Sequence, residues 1–211
     1  MLLFSRTLNL RGPQAETLAW ASEVTAHVNA KSGLDVSCWL GLYGVPLGSV
    51  GWSAMVESHA HFAEEAAGLI ADTEYQALVN RAADWVTGPG QDSMRTLVSG
   101  GRGDGGPPAV GSVAYITTAV TALGKVGEAM AWSVEMAEYA SGLTGSTVSF
   151  YTDLYGTFGS VSWISVLDDM TAVDKSQSIS NNDQGYMQRV SAAGDLFIPG
   201  SGNTALMTRI A

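Results

Sequence analysis

Apolar and polar positions alternate from Leu2 to Leu10. Leu3, Ser5, Thr7 and Asn9 fall on one face, and Leu2, Phe4, Arg6 and Leu10 mostly on the other. A period of two predicts a strand. Gly12-Pro13 ends it, and Pro13 suits the first turn of a helix, where its missing N–H costs nothing. Over 14–31 the period changes: Leu18, Ala21, Val24, Thr25 and Val28 recur at spacings of three and four, predicting a helix. Gly33 is expected to stop it in a left-handed cap. Val36 to Tyr43 returns to period two, with Val36, Cys38, Leu40 and Leu42 on one face and Ser37, Trp39, Gly41 and Tyr43 on the other. The turn Gly44-Val45-Pro46-Leu47-Gly48 leads into a second strand, Ser49 to Glu57, so the two read as a hairpin. A helical region covers His59 to Val86, broken near Ala71-Asp72-Thr73, where Asp72 is placed to cap a new helix. Gly88-Pro89-Gly90 ends it, and Ser93 to Ser99 reads as a last strand.

The same order then recurs. Strands are predicted over Val113 to Ala122, 147–155, 160–168 and Thr204 to Ile210, with helices over 125–141 and roughly 171–194. The recurrence is also one of residues. Offset by 112, Gly12, Glu16, Ala19, Trp20 and Glu23 meet Gly124, Glu128, Ala131, Trp132 and Glu135, and Leu42-Tyr43-Gly44 meets Leu154-Tyr155-Gly156. One residue is then lost, and at 111 Gly48-Ser49-Val50 and Trp52 meet Gly159-Ser160-Val161 and Trp163, followed by Asp72 with Asp183 and Tyr75 with Tyr186. Ordered identities that include two tryptophans mark a tandem duplication.

A β-α-β-β-α-β unit is ferredoxin-like: a four-stranded antiparallel sheet with helices on one face. The expected fold class is therefore α+β, with two such repeats forming an intrachain α/β barrel in which each sheet covers the other's bare face. The expected division is residues 1–99, a Gly/Pro linker over 100–109, and 110–211. The linker carries Arg102-Gly103-Asp104, which reads as an adhesion tripeptide or as plain solvated linker.

The net charge of −10 comes without a basic cluster, so neither a nucleic acid nor an anionic membrane is an expected partner. Charged residues are only 14% of the chain, below the usual quarter, which points to surface covered by the other half or by a second subunit of a homo-oligomer. The single cysteine, Cys38, sits in an apolar run and reads as a buried thiol. Only four apolar residues precede Arg6, too few for a signal core, and no apolar run reaches the ~18–20 residues of a span. The expected location is the cytoplasm.

Tyr43-Gly44-Val45-Pro46-Leu47-Gly48-Ser49-Val50-Gly51-Trp52, followed by Glu57-Ser58 and Asp72-Thr73-Glu74-Tyr75, resembles the dimeric α/β-barrel superfamily, in particular its NIPSNAP and antibiotic-biosynthesis-monooxygenase-like families. Tyr155 to Trp163, with Asp168-Asp169 and Asp183 to Tyr186, repeats the pattern without the proline. The resemblance implies cofactor-free oxygenation of aromatic compounds, haem degradation, isomerisation, or binding without reaction. One fold hosts many chemistries, so it fixes no single one.

Two constellations are candidates. The resemblance implies an asparagine on the first strand, a tryptophan on the third and a histidine in the next helix, which Asn9, Trp52 and His61 match in order. The second comes from strand faces: Trp39, Tyr43, Tyr151, Asp153 and Tyr155 share the face that would line the barrel, giving an aromatic cavity with Asp153 as acid or base. Trp52 and Trp163 read either as ligand contacts or as core. The repeated Trp20–Glu23 and Trp132–Glu135 pairs read as a pocket rim or as a helix-to-sheet contact beside a solvated carboxylate. His59 and His61 diverge at a helix start and have no third partner at ligand spacing, so no metal is expected, and no cofactor. No nucleophile elbow, phosphate loop or dinucleotide fingerprint occurs.

The expected function is a small-molecule binding protein for an apolar or aromatic compound, or a cofactor-independent oxygenase-like enzyme. The alternative is a non-catalytic assembly protein. A cavity reaching Trp39, Tyr151 and Asp153 would favour the first, and a filled barrel with apolar outer patches the second.

Overall fold

A computed structural model describes residues 1–101 and 106–211, so Arg102-Gly103-Asp104 lies outside the described residues. The chain runs β1 (Leu2–Asn9), α1 (Gln14–Lys31), β2 (Ser37–Tyr43), β3 (Ser49–Val56), α2 (His59–Ala71), α3 (Thr73–Asn80) and β4 (Gln91–Ser99). It continues as β5 (Val113–Val120), α4 (Val126–Thr144), β6 (Val148–Asp153), β7 (Ser160–Leu167), α5 (Met170–Asn182), α6 (Gln184–Ala192) and β8 (Asn203–Arg209).

The eight strands close into one antiparallel barrel in the order β1-β3-β2-β8-β5-β7-β6-β4. Each half thus holds the ferredoxin-like order, with its first strand between its third and fourth. The halves join by hydrogen bonds at two seams, β2 with β8 and β4 with β6, and each seam carries one register shift, at Gly41/Tyr43 and at Leu97/Ser99. Closure removes the four free edges that two separate sheets would expose.

Strand alternation then sorts the side chains. Phe4, Arg6 and Leu8 of β1 pair across the sheet with Ala54, Trp52 and Val50 and point outward, to the helices. Ser5 and Thr7 pair with Ser53 and Gly51 and point into the barrel. The interior mixes apolar and polar groups. Trp39 packs with Ala114, Met207, Ile116 and Val166, and its indole N–H donates to Ser53 Oγ at 2.9 Å. Nearby, Arg95 Nε donates to Asp153 Oδ1 at 2.8 Å across the β4–β6 seam and Arg95 Nη1 to Ser5 Oγ at 3.1 Å.

The larger core lies between the sheet of the first half and its helices. α1 buries Thr17, Trp20, Ala21, Val24, Thr25 and Val28, the stripe its period requires. Asp72 caps α3 by accepting from the N–H groups of Glu74 and Tyr75 at 2.8 and 2.9 Å, and Asp183 caps α6 the same way from Tyr186. The helix stops differ from expectation in one copy. Gly145 takes the left-handed cap at φ 74°, but α1 ends on Ser32 in extended backbone. Gly33 stays outside the left-handed region, and its N–H donates to Glu65 Oε2 at 2.9 Å, so α2 rather than a glycine cap holds that turn.

Among the described residues no helix is long and apolar enough to cross a membrane.

Candidate functional site

Among the described residues, two cavities lie between helices and the outer face of the sheet, one in each half. The first, about 680 Å³, is bounded by β1 and β3 below and by α1, α2 and α3 above. Its wall is apolar and aromatic, with Phe4, Trp20, Trp52, Phe62, Leu69 and Tyr75 among its lining residues. The backbone decides this composition: alternate residues of β1 and β3 face the helices, and the buried stripe of α1 faces back.

The tryptophans frame the floor. Trp20 and Trp52 meet edge to face at 5.9 Å and 85°. Each indole N–H is satisfied, Trp20 Nε1 by Leu78 O at 2.8 Å and Trp52 Nε1 by Thr25 Oγ1 at 3.0 Å. Buried aromatics with their polar tips already engaged present only ring surface to the space beside them.

One ion pair belongs to this wall. Arg6 Nε and Nη2 donate to the two carboxylate oxygens of Asp92 at 2.8 and 2.7 Å, and both side chains are about half exposed. The hydrogen bond to Asp92 leads the causes that raise the Arg6 pKa above its ordinary value. Arg6 therefore stays charged, and with one edge of its guanidinium held by Asp92 only its remaining N–H groups, those of Nη1 and the second of Nη2, are left to donate at the edge of an apolar space.

The second cavity is about 350 Å³ and more polar. Trp132 and Trp163 repeat the edge-to-face contact at 6.0 Å and 87°, and Trp132 Nε1 donates to Arg189 O at 3.0 Å. Around them the chemistry has changed. Thr117 and Thr204 stand where the first half has Arg6 and Asp92. Gln177, Ser180 and Asn181 stand where it has Ala66, Leu69 and Ile70. The duplication kept the aromatic frame in both halves and a roomy apolar cavity with an Arg–Asp ion pair in one.

The sequence candidates disperse. Trp52 lines the first cavity and Trp163 the second. Asn9 does not join Trp52. Its Oδ1 accepts from Ser49 Oγ at 2.8 Å, because Asn9 falls on the other face of β1. His61 sits in the first turn of α2, its backbone N–H capped by Ser58 Oγ and its Nε2 3.7 Å from Glu65. It is Arg6, one alternation away from Ser5 and Thr7, that β1 aims at the helix side.

Trp39 and Tyr151 are buried inside the barrel, and Asp153 is there too, paired with Arg95. These three lie across the sheet from both cavities. Burial holds the Tyr151 hydroxyl above its ordinary pKa. Tyr43 and Tyr155 do not close an interior cavity with them: they reach the strand ends and are 65% and 64% exposed. Tyr155 instead meets His59, hydroxyl to Nε2, at 3.1 Å.

Sequence reasoning passed over Arg6, Phe62 and Tyr75. The signal for Arg6 was present: a lone cation on the apolar face of the first strand, beside Phe4. The repeated Trp20–Glu23 pair splits its roles. Trp20 lines the cavity, and Glu23 accepts from Arg81 at 2.8 Å at the surface, as Glu135 faces Arg189 at 3.3 Å in the second copy.

Solved structures share this architecture. A protein assigned as a monooxygenase from Fusobacterium nucleatum superposes over 100% of this chain and 92% of its own, with a TM-score of 0.74 and 8% identity. An anthrone oxidase-like protein gives 0.69 over 100% and 91%, with 12% identity. A protein assigned as a monooxygenase from Lactobacillus acidophilus gives 0.66 over 99% and 93%, with 10% identity. No family profile matches the sequence, and no curated protein matches it significantly. At these identities the likeness defines the fold, the α/β barrel of ferredoxin-like halves, and leaves the chemistry to the site.

Proposed function

We propose that the protein binds an apolar, aromatic small molecule in the helix-side cavity of its first half, and that Arg6 holds an anionic or acidic oxygen of that molecule at the mouth. The observation that carries this reading is the asymmetry between the halves: an aromatic cavity of about 680 Å³ with an Arg6–Asp92 pair in one, a smaller and more polar cavity of about 350 Å³ with Thr117 and Thr204 in the other. A volume of 680 Å³ falls within the range of small-ligand sites, ≈ 300–1,000 Å³, and such sites are lined mostly by apolar groups with a few placed polar ones.

The reaction best suited to such a wall is oxygenation without a cofactor. Arg6 stabilises the phenolate or enolate form of a polycyclic substrate by charge-assisted hydrogen bonding, and that electron-rich anion reduces dioxygen directly. With anthrone the balance is one substrate and one O2 giving one anthraquinone and one water. The names of the structural neighbours support this class. In the test, oxygen uptake with anthrone is followed against an enzyme-free control, alongside binding of an anthracene carboxylate by tryptophan quenching. Catalysis fails as a reading if uptake does not exceed the control while the carboxylate binds. Binding fails if neither is seen.

A second reading rests on a separate observation. Leu47 and Phe158 occupy equivalent tips of the β2–β3 and β6–β7 hairpins and are 101% and 80% exposed. Paired apolar tips favour self-association. Sedimentation of the native chain against Leu47→Ser/Phe158→Ser tests it, with loss of a dimer or larger species as the supporting result.

A further inference from the structure

We propose that His27, Asp72 and Glu74 form a binding site for a borderline divalent cation of the Zn2+ type, at the point where α1 meets the start of α3. One donor atom from each residue lies within 4.8 Å of the others. The site is distinct from the aromatic cavity and does not depend on any ligand there.

The histidine is the telling member. Its side chain is nine-tenths buried, with 9% exposed, and Nε2 makes no hydrogen bond. That nitrogen stands 3.5 Å from Asp72 Oδ1, close but without hydrogen-bond geometry, and Nδ1 is 3.9 Å from Glu74 Oε2. An idle buried nitrogen is costly unless something occupies it. Asp72 Oδ1 is committed to the cap of α3 through Glu74 N and Tyr75 N. Its Oδ2 faces Lys31 Nζ at 3.8 Å, a half-exposed ammonium that an arriving cation would displace. Glu74 is 71% exposed.

The second half shows what the same position looks like when it is closed. Tyr139 replaces His27, and its hydroxyl donates to Asp183 Oδ1 at 2.7 Å. Gly185 replaces Glu74, and a Cβ there would run into the Tyr139 hydroxyl. Leu143 replaces Lys31. One copy therefore satisfies its capping aspartate with a neutral hydroxyl. The other surrounds it with an imidazole that does not bond to it and adds a second carboxylate.

An imidazole with two carboxylates suits Zn2+, Co2+ or Mn2+ better than Ca2+ or Mg2+, which favour all-oxygen shells. Bonds of about 2.0–2.2 Å place ligand atoms roughly 3.3–3.6 Å apart, so the site needs to contract, chiefly by rotation of Glu74.

The test uses the full chain, stripped with a chelator and titrated with ZnCl2 near neutral pH against a chromophoric competitor, with Co2+ absorption as a second readout. The wild type is expected to take one Zn2+ per chain. Asp72→Asn and Glu74→Gln, which preserve the cap and the surface, should each weaken binding about tenfold or more. His27→Tyr/Glu74→Gly, copied from the second half, should abolish it. His59→Ala and His61→Ala should leave it unchanged. Absence of binding overturns the proposal, as does an affinity that tracks His59 or His61, or one that Asp72→Asn and Glu74→Gln leave intact.

Discussion

Trp20 on α1 and Trp52 on β3 meet edge to face at 5.9 Å, and Trp132 and Trp163 repeat that contact at 6.0 Å in the second half. The Trp20 and Trp132 indoles donate to Leu78 O and Arg189 O, equivalent carbonyls on α3 and α6. The pair thus ties a strand to two helices in each copy. Truncating Trp163 to alanine should cost about 3–5 kcal/mol, read from urea unfolding. Trp52→Ala should cost a similar amount and also lower affinity for an aromatic probe, whereas Trp163→Ala should leave affinity unchanged.

Arg6 and Asp92 are exposed enough that their pair adds little to folding, within about 0–1 kcal/mol. The expected effect of Arg6→Ala is therefore selective. The unfolding midpoint stays nearly constant, while binding of an anthracene carboxylate falls about tenfold to a hundredfold, the loss of a charged hydrogen bond. Neutral anthracene should lose far less. Equal losses for the two probes would remove Arg6 from the account.

The same residues show how much of the fold is legible in the amino-acid sequence. The repeat located both tryptophan pairs, and alternation in β1 split Phe4 and Arg6 from Ser5 and Asn9. What alternation leaves open is which face meets helices and which lines a barrel, because both faces of β2 are apolar enough for either. The seams were equally hidden: β2–β8 and β4–β6 pairing rests on backbone hydrogen bonds between edges distant in sequence, with no side-chain period to mark them. Asn9 and His61 matched an order along the chain. Order does not carry direction, and a one-residue step in a strand reverses it.

Asp153 binds Arg95 at 2.8 Å inside the barrel, with 17% and 20% of the two side chains exposed. Asp153→Asn leaves a largely buried guanidinium short of its partner and should lower stability by about 1–3 kcal/mol. Binding in the helix-side cavity should be unaffected. A drop in affinity without a drop in stability would move the ligand to the barrel interior.

Cys38 is fully buried, and burial pushes its thiol up to about 12. The native chain should resist alkylation at pH 8 and react only on unfolding, as counted by mass spectrometry. The folded state holds this proton more tightly than the unfolded state, whose thiol ionises near 9. Its contribution to stability is therefore intact below that value and lost as pH rises toward about 12. Cys38→Ala should flatten that alkaline fall.

The most direct test of the proposed site is a crystal structure of the chain with an anthracene carboxylate. The rings are expected between α2, α3 and the outer face of β1 and β3, against Trp52 and Phe62, with the carboxylate on Arg6. Density for the ligand beside Trp39 and Tyr151, or in the second half beside Trp163, would contradict it.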